Sequence, residues 1–393
     1  MRIELFRMER MQSLHWHRVR YDLSESGVLP PSLEELLNLC GGGEGFLETT
    51  LGYPLSEGSL DLRERIAGWY PGAAAGNVTV VNGGSEANHL ALWTLLDERS
   101  RLAFQVPNYM QGYGLGRHYG KGCATFRLRP EGQGPARRFA LDTASLERAV
   151  TRDTRVVMVC NPNNPTGAVL REEEMDAVVR AATRVRAWIV ADEVYRGAEL
   201  QGEGTTPSFW GRYDRVVVTS GLSKAFGLPG LRIGWLVAPE RLIGETWKRH
   251  DYTTLTPGRL SDRLAALVMQ PEARERVLRR TRGILRRNLP RFEEWIAGFG
   301  GFFDYVRPRA GAIAFARYRG ALDSVALVDR IRERRSVLLV PGAMFGYGRG
   351  LRFGFGYDID RTLEGLALVG REIRGLLRFK GPGAGPARRG PSR

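Results

Sequence analysis

Lys224 is the residue of this sequence best suited to covalent chemistry. It lies in a Gly-rich, largely apolar segment directly after the apolar run Val216–Thr219, and it is one of four lysines among 393 residues. Burial in such surroundings lowers the pKa of a lysine amine and makes it a nucleophile that forms Schiff bases with carbonyl groups. For this segment taken alone, a lysine that extends to solvent is the alternative.

Three other segments place polar or glycine residues directly after a short apolar run. They are Gly83-Gly84-Ser85-Glu86, Asn161-Pro162-Asn163-Asn164-Pro165-Thr166-Gly167 and Asp192-Glu193-Val194-Tyr195. The glycine turn opens a helix whose free N–H groups suit a phosphate, although a plain capped turn fits equally well. A buried carboxylate such as Asp192 needs an arginine, a helix terminus or a protonated ring nitrogen as its partner.

Short apolar runs that alternate with helical stretches make up the first two thirds of the chain. The runs that we interpret as buried strands are Val78–Val81, Leu102–Val106, Val156–Cys160, Trp188–Ala191 and Val216–Thr219. Their alternation with helices predicts an α/β fold with a mostly parallel sheet that helices cover on both faces. Ligands bind beyond the carboxyl ends of such strands, which is where the four polar segments lie.

The chain after about Pro257 has a different organisation, with a long Arg- and Leu-rich helical region followed by short strands and helices. This pattern predicts a smaller α+β domain. We therefore divide the chain into an N-terminal arm that belongs partly to the small domain (residues 1–44), a large ligand-binding domain (45–257), the small domain (258–379) and a disordered basic tail (380–393).

The four polar segments, in this order, resemble the class I and II aminotransferases, which are pyridoxal phosphate enzymes of fold type I related to aspartate aminotransferase. The likeness covers about residues 20–378 and rests on N-P-N-N-P-T-G, D-E-V-Y and S-K-A-F-G-L-P-G-L-R-I-G. It implies that Lys224 holds the cofactor as a Schiff base. It also implies that Asp192 keeps the pyridinium nitrogen protonated, so that the ring accepts electrons.

The same resemblance implies roles for the other candidate site residues. Asn164 and Tyr195 would hydrogen-bond the ring 3-oxygen, and Tyr109 would stack on the ring. The residues that would contact the phosphate are Gly84, Ser85, Ser223 and Arg232, with Tyr53 reaching the phosphate of the neighbouring subunit. The last assignment implies a homodimer with shared active sites. On the substrate side, Arg352 would bind the α-carboxylate through its two-pronged guanidinium, together with Gly27 and Asn164.

The reaction that the resemblance implies is transfer of an amino group between an L-amino acid and a 2-oxo acid, with Lys224 carrying the proton. One departure is Gly221, at a position where many members have a serine, so Ser220 or Ser223 must supply that hydroxyl. Another is Asp22–Val28, which differs from the usual substrate-lining segment.

A second resemblance keeps a different reaction open. The string Ser-x-Ser-Gly-Val at residues 24–28 and the segment Asp251–Leu255 are similar to capreomycidine synthases, which cyclise a hydroxylated arginine. The alternative is therefore a pyridoxal-phosphate-dependent lyase or cyclase acting on a hydroxylated basic amino acid. An acid that lines the substrate side chain would favour a basic one, and Glu25 is a candidate, although a solvated or capping glutamate fits as well.

Composition excludes several other classes of protein. The net charge of +15 comes almost entirely from arginines scattered among acids, which argues against a nucleic-acid-binding face. The three cysteines, Cys40, Cys123 and Cys160, have no metal-ligand or disulfide spacing, so no metal site is expected.

With no apolar run long enough for a membrane span and no signal-like N-terminus, we expect a cytoplasmic protein. About 50 residues precede the Tyr53 motif, too few for the DNA-binding module of an aminotransferase-like transcription regulator.

Overall fold

The protein is described by a computed structural model that covers residues 3–202 and 204–378. Its α-helices are α1 (Arg7–His15), α2 (Leu33–Leu39), α3 (Leu60–Ala67), α4 (Gly84–Leu95), α5 (Gln111–Tyr119), α6 (Thr143–Ala149), α7 (Glu172–Val185), α8 (Glu240–His250), α9 (Arg259–Val268), α10 (Pro271–Ala297), α11 (Ser324–Arg335) and α12 (Ile359–Arg378). Single 3-10 turns lie at Trp16–Arg18, Ala75–Asn77, Gly134–Ala136, Pro229–Leu231 and Gly342–Phe345. The tail predicted at residues 380–393 lies outside the described residues.

The strands are β1 (Tyr21–Asp22), β2 (Val78–Val81), β3 (Arg101–Val106), β4 (Gly122–Glu131), β5 (Arg138–Leu141), β6 (Thr154–Cys160), β7 (Trp188–Asp192), β8 (Val216–Gly221), β9 (Gly234–Val237), β10 (Phe303–Tyr305), β11 (Ile313–Tyr318), β12 (Val337–Leu338), β13 (Val340–Pro341) and β14 (Gly350–Gly354). Eight of them form one sheet in the order β2-β9-β8-β7-β6-β3-β4-β5. The central strands β8, β7, β6, β3 and β4 are parallel, whereas β9 and β5 run antiparallel to their neighbours. The predicted mostly parallel α/β sheet is confirmed.

Sequence pattern explains why this sheet forms. Its central strands are short β-branched runs that are buried along almost their whole length, as sheets covered on both faces require. Some helices begin at an ordinary side-chain cap, for example Ser32, whose hydroxyl accepts from the Glu35 N–H at the start of α2. No helix within the two described ranges is long and apolar enough to cross a membrane.

Strand register brings the chemically distinctive segments to one edge of the sheet. Cys160 at the end of β6 pairs with Asp192 at the end of β7, and Asp192 pairs with Thr219 in β8. At the same edge, Gly221 and Val81 both pair with Gly234, the first residue of β9. The turn before α4 and the loops after β6, β7 and β8 are therefore neighbours.

A second, smaller sheet has the order β10-β11-β14-β13 and is antiparallel throughout. Helices α10, α11 and α12 pack in this part of the molecule. The N-terminal strand β1 forms a separate two-stranded sheet with β12, in which Tyr21 and Asp22 pair in parallel with Val337 and Leu338. The segment that follows β1 is consequently carried to the carboxyl edge of the large sheet.

Candidate active site

A cavity of about 380 Å³ lies at the carboxyl edge of the large sheet. Glu25 lines it, and so do nine of the residues singled out for the cofactor: Gly84, Ser85, Tyr109, Asn164, Asp192, Tyr195, Ser223, Lys224 and Arg232. They come from six separate loops and helix starts, which the strand register brings together. The remaining candidates, Gly27, Arg352 and Tyr53, do not line the cavity and are described below.

Asp192 ends β7 with its carboxylate at the floor of the cavity. Its Oδ2 accepts a hydrogen bond of 2.9 Å from Asn88 Nδ2, and its Oδ1 accepts one of 3.1 Å from the Val194 N–H. Asn88 is itself held by the Thr219 hydroxyl, which donates to its Oδ1 at 2.6 Å. Burial raises the pKa of Asp192, because no cation lies against it in the described chain. The carboxylate is therefore oriented, desolvated and open to a positively charged ligand atom.

Lys224 is paired with Glu25. Its Nζ donates to Glu25 Oε1 at 2.9 Å, and the N–H groups of Ser26 and Gly27 donate to the same oxygen. Burial alone would lower the pKa of Lys224, but the Glu25 carboxylate outweighs burial and raises it. Burial would likewise raise the pKa of Glu25, yet the lysine charge and these hydrogen bonds lower it to about 2. The two groups thus form a half-buried ion pair that lines the cavity.

The start of α4 forms a cradle for an anion. Gly83 has a φ of 97°, which an L side chain adopts at a cost, and a Cβ there would lie 2.3 Å from Arg232 Nη2. The first turn of a helix leaves N–H groups without intrahelical acceptors, so it attracts negative charge. Arg232 Nη1 reaches Ser223 Oγ at 3.4 Å on the far side of the cradle.

The two serines that the sequence offers as the source of this hydroxyl, Ser220 and Ser223, lie in different surroundings. Ser223 lines the cavity, whereas the hydroxyl of Ser220 is buried and donates to the Glu193 carbonyl oxygen. Ser223 is therefore the hydroxyl that faces the anion cradle.

Arg352 lies on β14 directly behind the cavity wall and is almost completely buried. Its Nη1 donates to Asn164 Oδ1 at 3.0 Å and its Nη2 to the Ser24 carbonyl oxygen, while Nε has no partner among the described residues. Burial lowers the pKa of the guanidinium, and the nearby oxygens of Tyr195 and Glu25 act against that shift. Arg352 links the small sheet to the loop after β6 through Asn164.

Two further candidates have different surroundings. Gly27 lies beside Lys224, since a Cβ built on it would be 3.8 Å from Lys224 Cδ and 3.3 Å from the Ser223 carbonyl oxygen. Tyr53 is 87% exposed and makes no contact with the cavity of its own chain.

The sequence reasoning missed one wall of the cavity, which α1 provides. Met8, Glu9, Gln12 and Trp16 line it. Glu9 Oε1 accepts a hydrogen bond of 2.9 Å from the Tyr109 hydroxyl, and the buried Gln12 donates to Ser24. From the sequence this segment is assigned only to an N-terminal arm, because nothing in the local sequence shows where it packs. Asn88, three residues after Ser85 on α4, was also missed, although its helical spacing places it on the face of Ser85.

Comparison with known proteins agrees with this geometry. The model of the aminotransferase class I and II family matches residues 43–366. The capreomycidine synthase of Streptomyces vinaceus is 33% identical over 384 residues, covering 94% of this chain and 95% of the relative. A crystal structure of a PLP-dependent aminotransferase from Streptococcus suis superposes with a TM-score of 0.88 at 27% identity, covering 96% of this chain and 99% of the other. The PLP-dependent cyclase OrfR gives a TM-score of 0.85 at 29% identity, covering 95% and 98%.

Proposed function

The chain belongs to the class I and II aminotransferase family and has pyridoxal phosphate as its cofactor; from that premise we propose that it transfers an amino group between an L-amino acid and a 2-oxo acid. One observation carries the proposal. A lysine, an oriented buried carboxylate and an anion cradle converge on a single cavity of about 380 Å³.

The residues present fit this cofactor in several independent respects. The buried hydroxyl of Tyr195 lacks a hydrogen-bond partner among the described residues, and a ring oxygen would supply one. Asp192 is aimed into the cavity without a cation, as a pyridinium partner should be. The start of α4, Ser223 and Arg232 form the cradle for the phosphate. Tyr109 also lines the cavity, where its ring can stack.

When bound, the cofactor supplies a carbonyl group for Lys224 and a ring that stabilises negative charge at the substrate Cα. In our proposal, Asp192 keeps the ring nitrogen protonated, and Asn88 and the Val194 N–H hold its carboxylate in place. The Lys224 amine removes the proton from Cα and returns it one atom away, acting first as base and then as acid. Arg352 binds the α-carboxylate and so fixes the direction of the Cα–H bond.

We also propose a cytoplasmic homodimer. Leu47, Leu51, Tyr53 and Leu55 are exposed apolar side chains within one short segment, and a partner subunit would cover them. In this arrangement Tyr53 would reach the phosphate in the partner's cavity.

A second candidate reaction is elimination followed by addition or ring closure, as in a lyase or cyclase. It is favoured by the carboxylate of Glu25 in the cavity and by the similarity to capreomycidine synthase over nearly the whole chain. The same lysine and aspartate would serve both reactions, because both begin with loss of the Cα proton.

An isotope experiment separates the two. The holoenzyme is incubated with a panel of L-amino acids labelled with ¹⁵N at the α-amino group, each with unlabelled 2-oxoglutarate or pyruvate. Label appearing in glutamate or alanine supports transamination. Label retained in a dehydrated or cyclised product, or released as ammonia, contradicts it and supports the second candidate.

A further inference from the structure

We propose that a groove separate from the active-site cavity binds a ligand with two or more linked phosphate groups. Six arginines line this groove, called the arginine groove below: Arg127, Arg129, Arg137, Arg317, Arg319 and Arg349. The proposal goes beyond the proposed function, because it does not depend on which reaction the active site performs.

Two cavities of about 1000 and 480 Å³ form the arginine groove. Arg137 and Arg317 line both of them, so the two cavities lie side by side. Apolar parts of Ile296, Phe303 and Tyr305 also line the larger cavity, which gives it the combination of apolar surface and converging polar groups that is typical of ligand sites. The described residues that line the groove and those that line the active-site cavity have no member in common.

Strand β4 contributes two of the arginines. Arg127 and Arg129 are exposed and alternate with the buried Phe126 and Leu128, because successive side chains of a strand point to opposite faces. The large sheet therefore presents two guanidinium groups on the solvent face of one strand.

The small sheet contributes three more. Arg317 of β11 pairs with Gly350 of β14, so Arg349, one residue before Gly350, lies beside it. Arg319 follows Arg317 by two residues, with the buried Tyr318 between them, and both arginines line the larger cavity. The fold thus gathers arginines that look scattered in the sequence.

Part of this positive charge is balanced within the protein. Asp304 forms ion pairs with both Arg137 and Arg317, and it holds these two guanidinium groups next to each other. Arg129 pairs with Asp142 at 2.7 Å. These pairs fix the positions of three of the six arginines.

The other three arginines of the groove are not balanced. Arg127, Arg319 and Arg349 are exposed and have no ion-pair partner among the described residues. Glu293, the second acid that lines the groove, pairs with Arg307 at 3.2 Å. Like charges gathered in one place repel each other, so a bound anion would stabilise this arrangement.

The high arginine content of the chain does not by itself explain an unbalanced cluster. On α11, for example, Arg330, Arg334 and Arg335 lie close together, but all three pair with the carboxylate of Glu372. The arginine groove differs because its unpaired arginines face a large cavity instead of an acid.

Phosphate is the anionic group that best fits these side chains. The planar guanidinium binds two oxygens of a phosphate through parallel hydrogen bonds, and it stays charged at every physiological pH. A single phosphate group carries a charge of only about −1.5 to −2 at pH 7, which does not balance three unpaired arginines. Linked phosphates therefore fit better, whether they belong to a nucleotide or to inorganic polyphosphate.

Calorimetry on the holoenzyme tests the proposal, because the anion cradle of the active site then already holds the cofactor phosphate. The probes are tripolyphosphate, pyrophosphate, orthophosphate and ATP. We expect one tripolyphosphate per chain, bound at least about 10-fold more tightly than orthophosphate and more weakly as salt is added. ATP binding more tightly than tripolyphosphate would identify a nucleotide as the ligand, and equal binding would identify the phosphates alone.

Variants locate the binding site. Arg319→Gln and Arg349→Gln should each weaken tripolyphosphate binding about 10-fold or more, since each removes hydrogen bonds from a charged donor. The matched control is Arg279→Gln, which removes another exposed arginine without an ion-pair partner in the described chain. Arg279 precedes Glu293 by 14 residues on α10, about 21 Å along the helix, so this variant should bind like the wild type. Melting temperature and cofactor absorbance should be unchanged in all three variants.

Two results would overturn the proposal. One is the absence of saturable tripolyphosphate binding by the wild type, and the other is equal binding by Arg319→Gln, Arg349→Gln and the control. Binding of a fluorescent single-stranded DNA that these two variants weaken, without measurable tripolyphosphate binding, would instead indicate a nucleic-acid surface. None of these results affects the proposed function, which the ¹⁵N experiment tests separately.

Discussion

Asp192 and Glu193 are adjacent carboxylates with opposite orientations at the end of β7. Asp192 faces the cavity, whereas Glu193 points away, where its Oε1 accepts the Ser208 hydroxyl and the Phe209 N–H, both at 2.8 Å. Its Oε2 has no partner among the described residues. Burial raises the pKa of Glu193 from about 4.5 to about 7, with Arg196 acting against the shift.

This shift predicts a pH dependence of stability. Between about pH 4.5 and 7 the folded state holds a proton on Glu193 that the unfolded state has lost, so the free energy of unfolding falls as the pH rises. Glu193→Gln keeps an acceptor for Ser208 and Phe209 and removes the titration. Its melting temperature should fall less than that of the wild type between about pH 5 and 8. If the melting temperatures of the wild type and of Glu193→Gln changed with pH in the same way, the raised pKa of Glu193 would be contradicted.

The role of Lys224 is tested by covalent trapping. Reduction of the holoenzyme with borohydride followed by peptide mapping should find the cofactor on Lys224. Lys224→Ala should abolish both the label and turnover while the protein still folds, since removal of the amine leaves the cradle around α4 intact. Label on Lys121 or Lys248 would show that the assignment is wrong.

Arg352→Lys tests the carboxylate-binding role. A single ammonium cannot reproduce two parallel hydrogen bonds, and losing a charge-assisted pair costs about 2–5 kcal/mol when the partner charge stays buried. We expect kcat/KM for amino acids to fall about 30- to 4,000-fold, with cofactor content and melting temperature largely kept. A large drop in melting temperature without a selective kinetic defect would instead mean that Arg352 only joins Asn164 to Ser24.

At the scale of elements, the position of the anion cradle depends on how closely β9 approaches the turn before α4. A Cβ on Gly234 would lie 2.3 Å from the Gly83 carbonyl carbon and 2.5 Å from the Gly84 nitrogen, both of them backbone atoms. The absence of a side chain at Gly234 therefore determines the position of the cradle.

Gly234→Ala should push this turn outward, costing about 1–3 kcal/mol of stability and weakening cofactor binding. The matched control is Gly230→Ala, because a Cβ at Gly230 meets nothing within 4 Å. Melting temperature and the absorbance of bound cofactor measure both effects. Equal cofactor content in the two variants would contradict the close-approach argument.

At the scale of the whole molecule, the exposed apolar segment around Tyr53 calls for a partner subunit. Light scattering of the holoenzyme should give twice the 43.9 kDa of one chain. Tyr53→Phe should weaken cofactor binding without dissociating the dimer, because only the hydroxyl that would reach the partner's phosphate is removed. A stable and active 43.9 kDa monomer would exclude shared active sites.

Much of this protein could be predicted from its sequence, for identifiable reasons. The buried strands are short β-branched runs, and burial on both faces is a local property of such runs. Lys224, Asp192 and Asn164 stand at or shortly after the ends of these strands, so the rule that parallel strands carry their ligands at their carboxyl ends was enough to group them. Strand β4 was not predicted, because its exposed arginines and Pro130 interrupt the apolar run by which the other strands were recognised.

What only the tertiary structure decided is which distant segments meet. The pairing of β1 with β12 carries Glu25 to Lys224 across 199 residues, and the docking of α1 brings Glu9 to Tyr109 across 100. Neither of these two contacts can be recognised from the residues next to the glutamate, because a glutamate that caps a loop and one that faces a lysine can have the same neighbours in sequence. The sequence by itself therefore determined the fold and grouped the candidate residues for the cofactor, while long-range packing decided which further charged side chains line the cavity.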